Sequence, residues 1–172
     1  NRAWCITKVK SWFCAGGFFL NVKLNQKIWE SGLFDFQWVF PNQGDSGLAL
    51  GACLLASKTN IKNFKPLTLR NYSYGPAFEK KEIKRILEER NLDYKEFDDV
   101  TKPTAHYLSN NLTVAWFQGR METGPRSLGN RSILMSPIQA RNKDIVNKKI
   151  KYREAFRPFC PSILSEFANE YL

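Results

Sequence analysis

The sequence predicts an α/β fold, and three observations point there. The first third of the chain alternates short apolar runs with amphipathic stretches, in the order strand, helix, strand, helix. That is the pattern of a sheet with crossover helices. Hydrophobic residues make up 43% of the 172 and aromatic residues 14%, enough for a core and too much for disorder. Turn chemistry, chiefly Gly16-Gly17, Gly32 and Asn42-Gln43-Gly44-Asp45, falls between the runs and not inside them.

Each element has its own signal. Residues 1–11 are basic and without a period. Trp12 to Ala15 is an apolar run ending at Gly16-Gly17, a buried strand entering a tight turn. Residues 18–31 place Leu20, Leu24, Ile28 and Trp29 at helical spacing, and Gly32 stops the helix as its C-terminal cap. Phe34 to Phe40 is a strand closed by Pro41. Leu48 to Ala56 is a helix of small residues, and Gly51 with its alanines calls for a closely packed neighbour. Residues 58–76 are polar, basic and loop-like, so they read as a linker between a piece at 1–57 and a piece at 77–172. Lys80 to Arg90 is an amphipathic helix with Ile83, Ile86 and Leu87 on one face. Tyr94 to Phe97 reads as a short strand and residues 100–111 as a helix. Thr113 to Phe117 and Ser132 to Met135 are strands. Residues 140–150 form a basic helix with Ile145, Val146 and Ile150 inward, and Phe156 to Leu164 is punctuated by proline and partly extended.

Charge and rare residues narrow the chemistry. Lys plus Arg is 26 against 16 for Asp plus Glu, a net charge of +10, so the partner is anionic: nucleic acid, a membrane surface or phosphorylated small molecules. No apolar run approaches the roughly 20 residues of a membrane span. Cys5, Cys14, Cys53 and Cys160 form no C-x-x-C pair, which argues against a zinc ribbon and for buried free thiols in a reducing, cytoplasmic setting. The lone His106 excludes a pair of histidine ligands within the chain and reads as a surface helical residue.

Two constellations carry chemistry. In the first, Ala15-Gly16-Gly17 follows a strand and precedes a helix bearing Asn21 and Asn25. Glycines there let backbone N–H groups approach a phosphate, although a plain strand–helix turn has the same spelling. Asp45, after a strand and before a helix, is placed either to face a cleft or to cap the helix. The second constellation runs from Gln118 to Arg157. Residues 119–157 hold ten Lys or Arg and only three acids, Glu122, Asp144 and Glu154, and so account for most of the net charge. Arg120, Arg126 and Arg131 alternate with Gly, Pro and Asn, which fix loop geometry. Converging guanidinium forks grip phosphate oxygens in pairs. The competing reading is a structural network of these arginines with Glu122 and Glu154.

These residues carry a resemblance. The run from Phe117 to Leu134, Phe-Gln-Gly-Arg-Met-Glu-Thr-Gly-Pro-Arg-Ser-Leu-Gly-Asn-Arg-Ser-Ile-Leu, resembles the hallmark of the NodU/CmcH family of O-carbamoyltransferases. The run from Asn147 to Leu164 is similar to that family's next block. Ala15 to Asn25 resembles its Ala-Gly-Gly-Val-Ala-Leu-Asn segment, and Pro41 to Ala52 its Gly-Asp-x-Gly-x-Ala-Leu-Gly-Ala segment. The four blocks stand in the family's order over residues 12–170.

The resemblance implies two domains. One is the C-terminal piece of an actin/hexokinase-like ATPase domain, related to the threonylcarbamoyl-transferase proteins of tRNA modification. The other is the start of a YrdC-like domain. It implies that the YrdC-like domain makes a carbamoyl-adenylate from carbamoyl phosphate and ATP, with Mg²⁺ accompanying the nucleotide. The first domain then passes the carbamoyl group to a substrate hydroxyl beside a divalent metal, expected to be iron. On this pattern Asp45 corresponds to a metal ligand, and Gly16, Gly17 and Asn21 to the nucleotide-contacting turn. Arg120 and Arg153 correspond to the principal phosphate contacts, with Arg126, Arg131 and Lys151 in the same pocket.

The chain departs from the family at several points. Phe18-Phe19 replaces a small pair and is expected to crowd the turn, and Ser127 replaces the commoner Ala. Residues 1–11 match nothing in the pattern, and the chain starts at Asn1 without Met. The upstream half of the ATPase domain, with two histidines for the metal, and the end of the YrdC-like domain are expected to be missing. The chain alone is therefore expected to be inactive. A basic nucleic-acid-binding module is the alternative, with Trp116 and Phe117 stacking bases beside Arg120. It is disfavoured because the cations lie in loops fixed by Gly and Pro. A non-catalytic relic of the enzyme is the third reading.

Overall fold

The computed structural model describes residues 8–66 and 68–171. Cys5 and the first seven residues of the basic segment lie outside them. The architecture is mixed α/β with two small sheets. By contacts the chain divides into one unit of residues 1–92 with 117–132, and a second of residues 93–116 with 133–172.

The first unit begins with a β-α-β arrangement. Strands β1 (Ser11–Cys14) and β2 (Phe36–Val39) pair in parallel, with Ser11 opposite Phe36 and Cys14 opposite Val39. A 3-10 turn (Gly17–Leu20) and helix α1 (Val22–Glu30) connect them, as the helical spacing predicts, and Gly32 at φ +64° ends the crossover. Alternation along the strands sorts the side chains onto two faces. Trp12 meets Phe34 and Phe19 edge-on, at centroid distances of 4.5 and 6.4 Å, and Gln37 Nε2 donates to the Asn25 carbonyl. This is the face α1 covers, and Cys14 is buried there. On the opposite face Phe13, Phe36 and Trp38 stack against one another and stay exposed.

Helix α2 (Leu48–Asn60) follows β2 after a 3-10 turn at Asp45–Gly47, and helix α3 (Lys80–Glu89) lies further on. The small-residue helix α2 departs from expectation. None of its residues is buried, Leu48 and Leu55 are 70% and 66% exposed, and a Cβ on Gly51 would meet nothing within 4 Å. The close neighbour its sequence calls for is not among the described residues. The apolar face of α3 forms as predicted but is also largely open, with Ile83 and Ile86 exposed.

The second unit holds helix α4 (Thr101–Ser109) and helix α5 (Arg141–Ile145). The latter runs on into a π-helical turn at Val146–Ile150. Strands β3 (Val114–Phe117) and β4 (Arg131–Leu134) form the second two-stranded sheet. A 3-10 turn (Ser165–Phe167) and helix α6 (Ala168–Tyr171) close the described chain. Tyr94 to Phe97, expected as a strand, is irregular. A strand is realised only against a partner, and no named strand includes these residues. Val146 is buried and Ile145 and Ile150 half-buried, the inward face the spacing predicts.

The core is small and unusually polar. Among the described residues the buried apolar side chains are Cys14 and Val146, whereas Asn42, Ser136, Asn142 and Asn147 are buried polar ones. Composition is sufficient for a core, but the elements in this chain cover only one face of each other. The expectation of buried thiols fails for the same reason: Cys14 is buried, while Cys53 and Cys160 are exposed.

Candidate functional site

In the first unit three of the sequence blocks meet. Gly16, at φ +105°, donates its backbone N–H to the Gln43 carbonyl at 2.7 Å. Gln43 Nε2 and Asn25 Nδ2 both reach the Phe19 carbonyl, at 3.3 and 2.8 Å. The turn at 16–21 is thus tied to the turn at 41–47. The buried Asn42 then extends the connection: its Nδ2 donates to Thr123 Oγ1 at 2.9 Å, and its Oδ1 accepts from Ser46 Oγ at 2.6 Å. Two glycines are required here. A Cβ on Gly47 would lie 2.0 Å from the Asn42 carbonyl oxygen, and one on Gly124, at φ +95°, 2.9 Å from that of Pro41. Arg126 completes the cluster by donating through NH2 to the Leu20 carbonyl at 3.3 Å.

Within this cluster the predicted residues take definite places. Asn21 caps α1, its Oδ1 accepting from the Leu24 N–H at 3.1 Å. Asp45 is exposed at the start of its 3-10 turn, and no side chain caps either that turn or α2. Phe18 turns to solvent and Phe19 packs on Trp12, so Gly16 and Gly17 have open space around them and the expected crowding does not arise. His106 is an exposed helical residue, as predicted.

The loop from Gly119 to Arg131 is organised around one carboxylate. Glu122 Oε1 accepts the backbone N–H groups of Leu128 and Asn130 at 2.6 and 3.0 Å, and Oε2 accepts that of Arg131 at 3.2 Å. Asn130 Nδ2 donates to the Arg120 carbonyl and to Ser73 Oγ. Residues 72–77 run alongside through Thr123 N–H to Tyr72, Gly75 N–H to Met121 and Met121 N–H to Pro76. Arg131 lies 3.6 Å over the Phe117 ring and donates to the carbonyls of Gln118, Asn130 and Gly119. Its fork is committed to backbone. Arg120 makes one such bond, to Tyr74, and is otherwise exposed.

The second unit carries Lys151 and Arg153. Arg153 donates Nε to Asn147 Oδ1 at 2.7 Å and its guanidinium lies 4.6 Å from the Phe159 ring centroid. Lys151 Nζ is 6.0 Å from the same centroid. Lys148, Tyr152, Arg153, Glu154 and Arg157 line an open depression of about 610 Å³. Arg157 is paired with Glu154 at 2.8 Å. The Glu154 carboxyl is held below the usual carboxylate range, first by its own backbone N–H and then by the charge of Arg157. The surface therefore presents Lys148 beside Arg153, whose charge also acts on the neighbouring Glu154 carboxylate.

The structure answers the question of an arginine–glutamate network directly. Glu122 binds amides rather than guanidinium groups, and of these two acids Glu154 is the one that pairs with an arginine, Arg157. No three His, Cys, Asp or Glu side chains come together among the described residues. Asp45 is thus a single candidate ligand, and the residues present do not make a metal centre. Sequence reasoning missed the organising roles of Glu122, Asn42 and Asn147. For Glu122 the signal was available: a lone acid amid glycines and amide-rich turns suits a hub for backbone N–H groups. Asn147, in the middle of a basic helical run, gave no signal.

Compared with known proteins, residues 5–54 match the family model for the carbamoyltransferase N-terminus and residues 105–172 that for the carbamoyltransferase C-terminus. Nodulation protein NolO of Bradyrhizobium diazoefficiens is 41% identical over 160 residues, covering 91% of this chain and 29% of the relative. Nodulation protein NolNO of Sinorhizobium fredii is 39% identical over 169 residues, covering 96% and 25%. An uncharacterized protein of Synechocystis is 39% identical over 165 residues, covering 91% and 27%. The chain spans about a quarter to three tenths of the length of these curated relatives.

Proposed function

The chain belongs to the carbamoyltransferase family, and from that premise we propose that it contributes to an ATP-dependent O-carbamoyltransferase. In this reading carbamoyl phosphate gives up its phosphate to water, the carbamate displaces pyrophosphate from ATP to form a carbamoyl-adenylate, and the carbamoyl group passes to a hydroxyl of a sugar, antibiotic or related metabolite with release of AMP. Residues 1–57 belong to the actin/hexokinase-like domain and residues 77–172 to the YrdC-like domain, with 58–76 between them. The setting is cytoplasmic, the partners are small molecules, and nucleic acid is not among them. No helix among the described residues is long and apolar enough to cross a membrane.

The observation that carries the reading is the basic depression at Lys148, Arg153 and Arg157. A departing pyrophosphate concentrates negative charge, and cations already held in place stabilise it without reorganising. Arg153 meets that requirement, because Asn147 and Phe159 fix its guanidinium before any ligand arrives. Lys151, beside Phe159, belongs to the same surface. Arg120 and Arg126 supply further phosphate contacts, and Arg131 acts through the loop it braces. Gly16, Gly17 and Asn21 form the nucleotide-facing turn, kept open by the outward Phe18. Asp45 offers one carboxylate to a divalent metal, expected to be iron, whose other ligands are not gathered around it among the described residues.

The test is pyrophosphate release that requires both ATP with Mg²⁺ and carbamoyl phosphate, measured on full-length NolO and on this chain alone. Release is expected from the full-length protein and none from the chain. The change in NolO matching Arg120→Ala is expected to lower the rate by about a hundredfold or more, the scale of losing one transition-state donor. Release that ignores carbamoyl phosphate, or an unaffected arginine variant, contradicts the reading.

A further inference from the structure

We infer that Asn147 is a positioning residue whose buried amide aims the Arg153 guanidinium at the open basic depression. The inference rests on the phosphate-binding reading of that depression and adds a residue to it. Asn147 is the largest fully buried side chain among the described residues, at 0% exposure. A buried amide costs free energy unless all its polar atoms are bonded, and here they are. Oδ1 accepts Arg153 Nε at 2.7 Å, and Nδ2 lies 3.4 Å from the carbonyl oxygens of both Ala155 and Arg157.

The backbone reinforces the same arrangement. The π turn closes with the Lys151 N–H donating to the Val146 carbonyl at 2.9 Å. Such turns are rare, and they are frequent at functional sites. Tyr152, at φ +45°, then reverses the chain, so that the Arg153 N–H returns to the Asn147 carbonyl at 3.1 Å. One residue therefore holds Arg153 at both its backbone and its side chain, and holds the two carbonyls that follow it. With Nε engaged by Asn147 and NH2 near the Pro158 carbonyl at 3.4 Å, the guanidinium has one orientation over Phe159. NH1 is the terminal nitrogen with no hydrogen bond recorded among the described residues. Only an amide fits the position. A carboxylate would set an acceptor against two carbonyl oxygens, and an aliphatic side chain would leave Nε unbonded.

The experiment titrates inorganic pyrophosphate into the chain by calorimetry, with far-UV circular dichroism and thermal melting as checks of folding. Arg153→Ala is expected to weaken binding most. Asn147→Ala is expected to weaken it by about tenfold, the weight of one charge-assisted hydrogen bond. In the Arg153→Ala background the same change is expected to cost nothing further, because Asn147 acts through Arg153. A merely structural role would cost the same in both backgrounds. Arg153→Lys, at a half-buried position, retains the charge, cannot make the Nε bond, and is expected to match Asn147→Ala. It carries the test if Asn147→Ala does not fold. Unchanged affinity in Arg153→Lys, or an additive double variant, overturns the inference. If Arg153→Ala itself leaves binding unchanged, the phosphate reading fails first and the positioning role falls with it.

Discussion

Arg131 opens strand β4 and Arg153 follows the π-helical turn, each stacked on a phenylalanine and each beside a buried or half-buried polar hub. They use their donors in opposite ways. Arg131 spends NH1 and NH2 on three backbone carbonyls of its own hairpin, and its Nε is buried without a partner. Arg153 gives Nε to one buried amide and keeps its outer edge on an open basic surface. The difference teaches that arginine content locates a region but not a ligand site. What distinguishes the two is what each fork already binds.

The comparison can be broken from either side. The largest stability effect is expected at Glu122. Replacing it with Ala leaves three loop amides without their acceptor, and part of that cost is recovered from water, so a loss of about 2–3 kcal/mol is expected. Denaturant unfolding of the chain measures it. Arg131→Ala removes the stack on Phe117 and the carbonyl braces, for a loss of about 1–2 kcal/mol by the same measurement.

A smaller effect sharpens the picture of the open surface. Glu154→Gln frees Arg157, and pyrophosphate affinity is expected to rise by about threefold, as suits an exposed ion pair. The pH dependence follows from the lowered Glu154 carboxyl. A carboxyl lowered in the fold contributes stability above its unfolded range and loses it as pH falls through the folded value. The melting difference between Glu154→Gln and the parent is therefore expected at neutral pH and should close in acid. Thiol labelling gives the least energetic contrast. Burial pushes the Cys14 thiol up, partly offset by a hydrogen bond with Trp12, so iodoacetamide should modify Cys53 and Cys160 well before Cys14.

Much of the fold was legible because periodicity reports local structure. The β1-α1-β2 arrangement, the helices at 80–89 and 101–109 and both later strands follow the spacing of apolar residues and the punctuation of Gly and Pro. Burial was not legible in the same way. Leu48, Leu55 and Phe13 have the composition of a core, but burial depends on a second surface, and the described chain places none against them. Tyr94 to Phe97 has strand-forming residues without a strand to pair with. At the site, the meeting of the 16–21, 41–47 and 122–126 segments was not legible, because the family blocks set the first two in one domain and the third in another. It depends on long-range hydrogen bonds from Asn42, Gln43 and Arg126, whose side chains look like ordinary turn residues in sequence. Glu122 carries a legible signal, a lone acid amid glycines, but its choice of amides over the neighbouring arginines is set by the loop geometry. The buried Asn147 depends on a π turn that no hydrophobic period reveals.

The most direct measurement sets the two arginines side by side. Pyrophosphate is titrated into the chain carrying Arg153→Ala and into the chain carrying Arg131→Ala, each at a temperature well below its own melting point. The account predicts a loss of about a hundredfold for Arg153→Ala and a change within about twofold for Arg131→Ala. Equal losses, or a larger loss at Arg131, would contradict the assignment of one arginine to the ligand and the other to the loop.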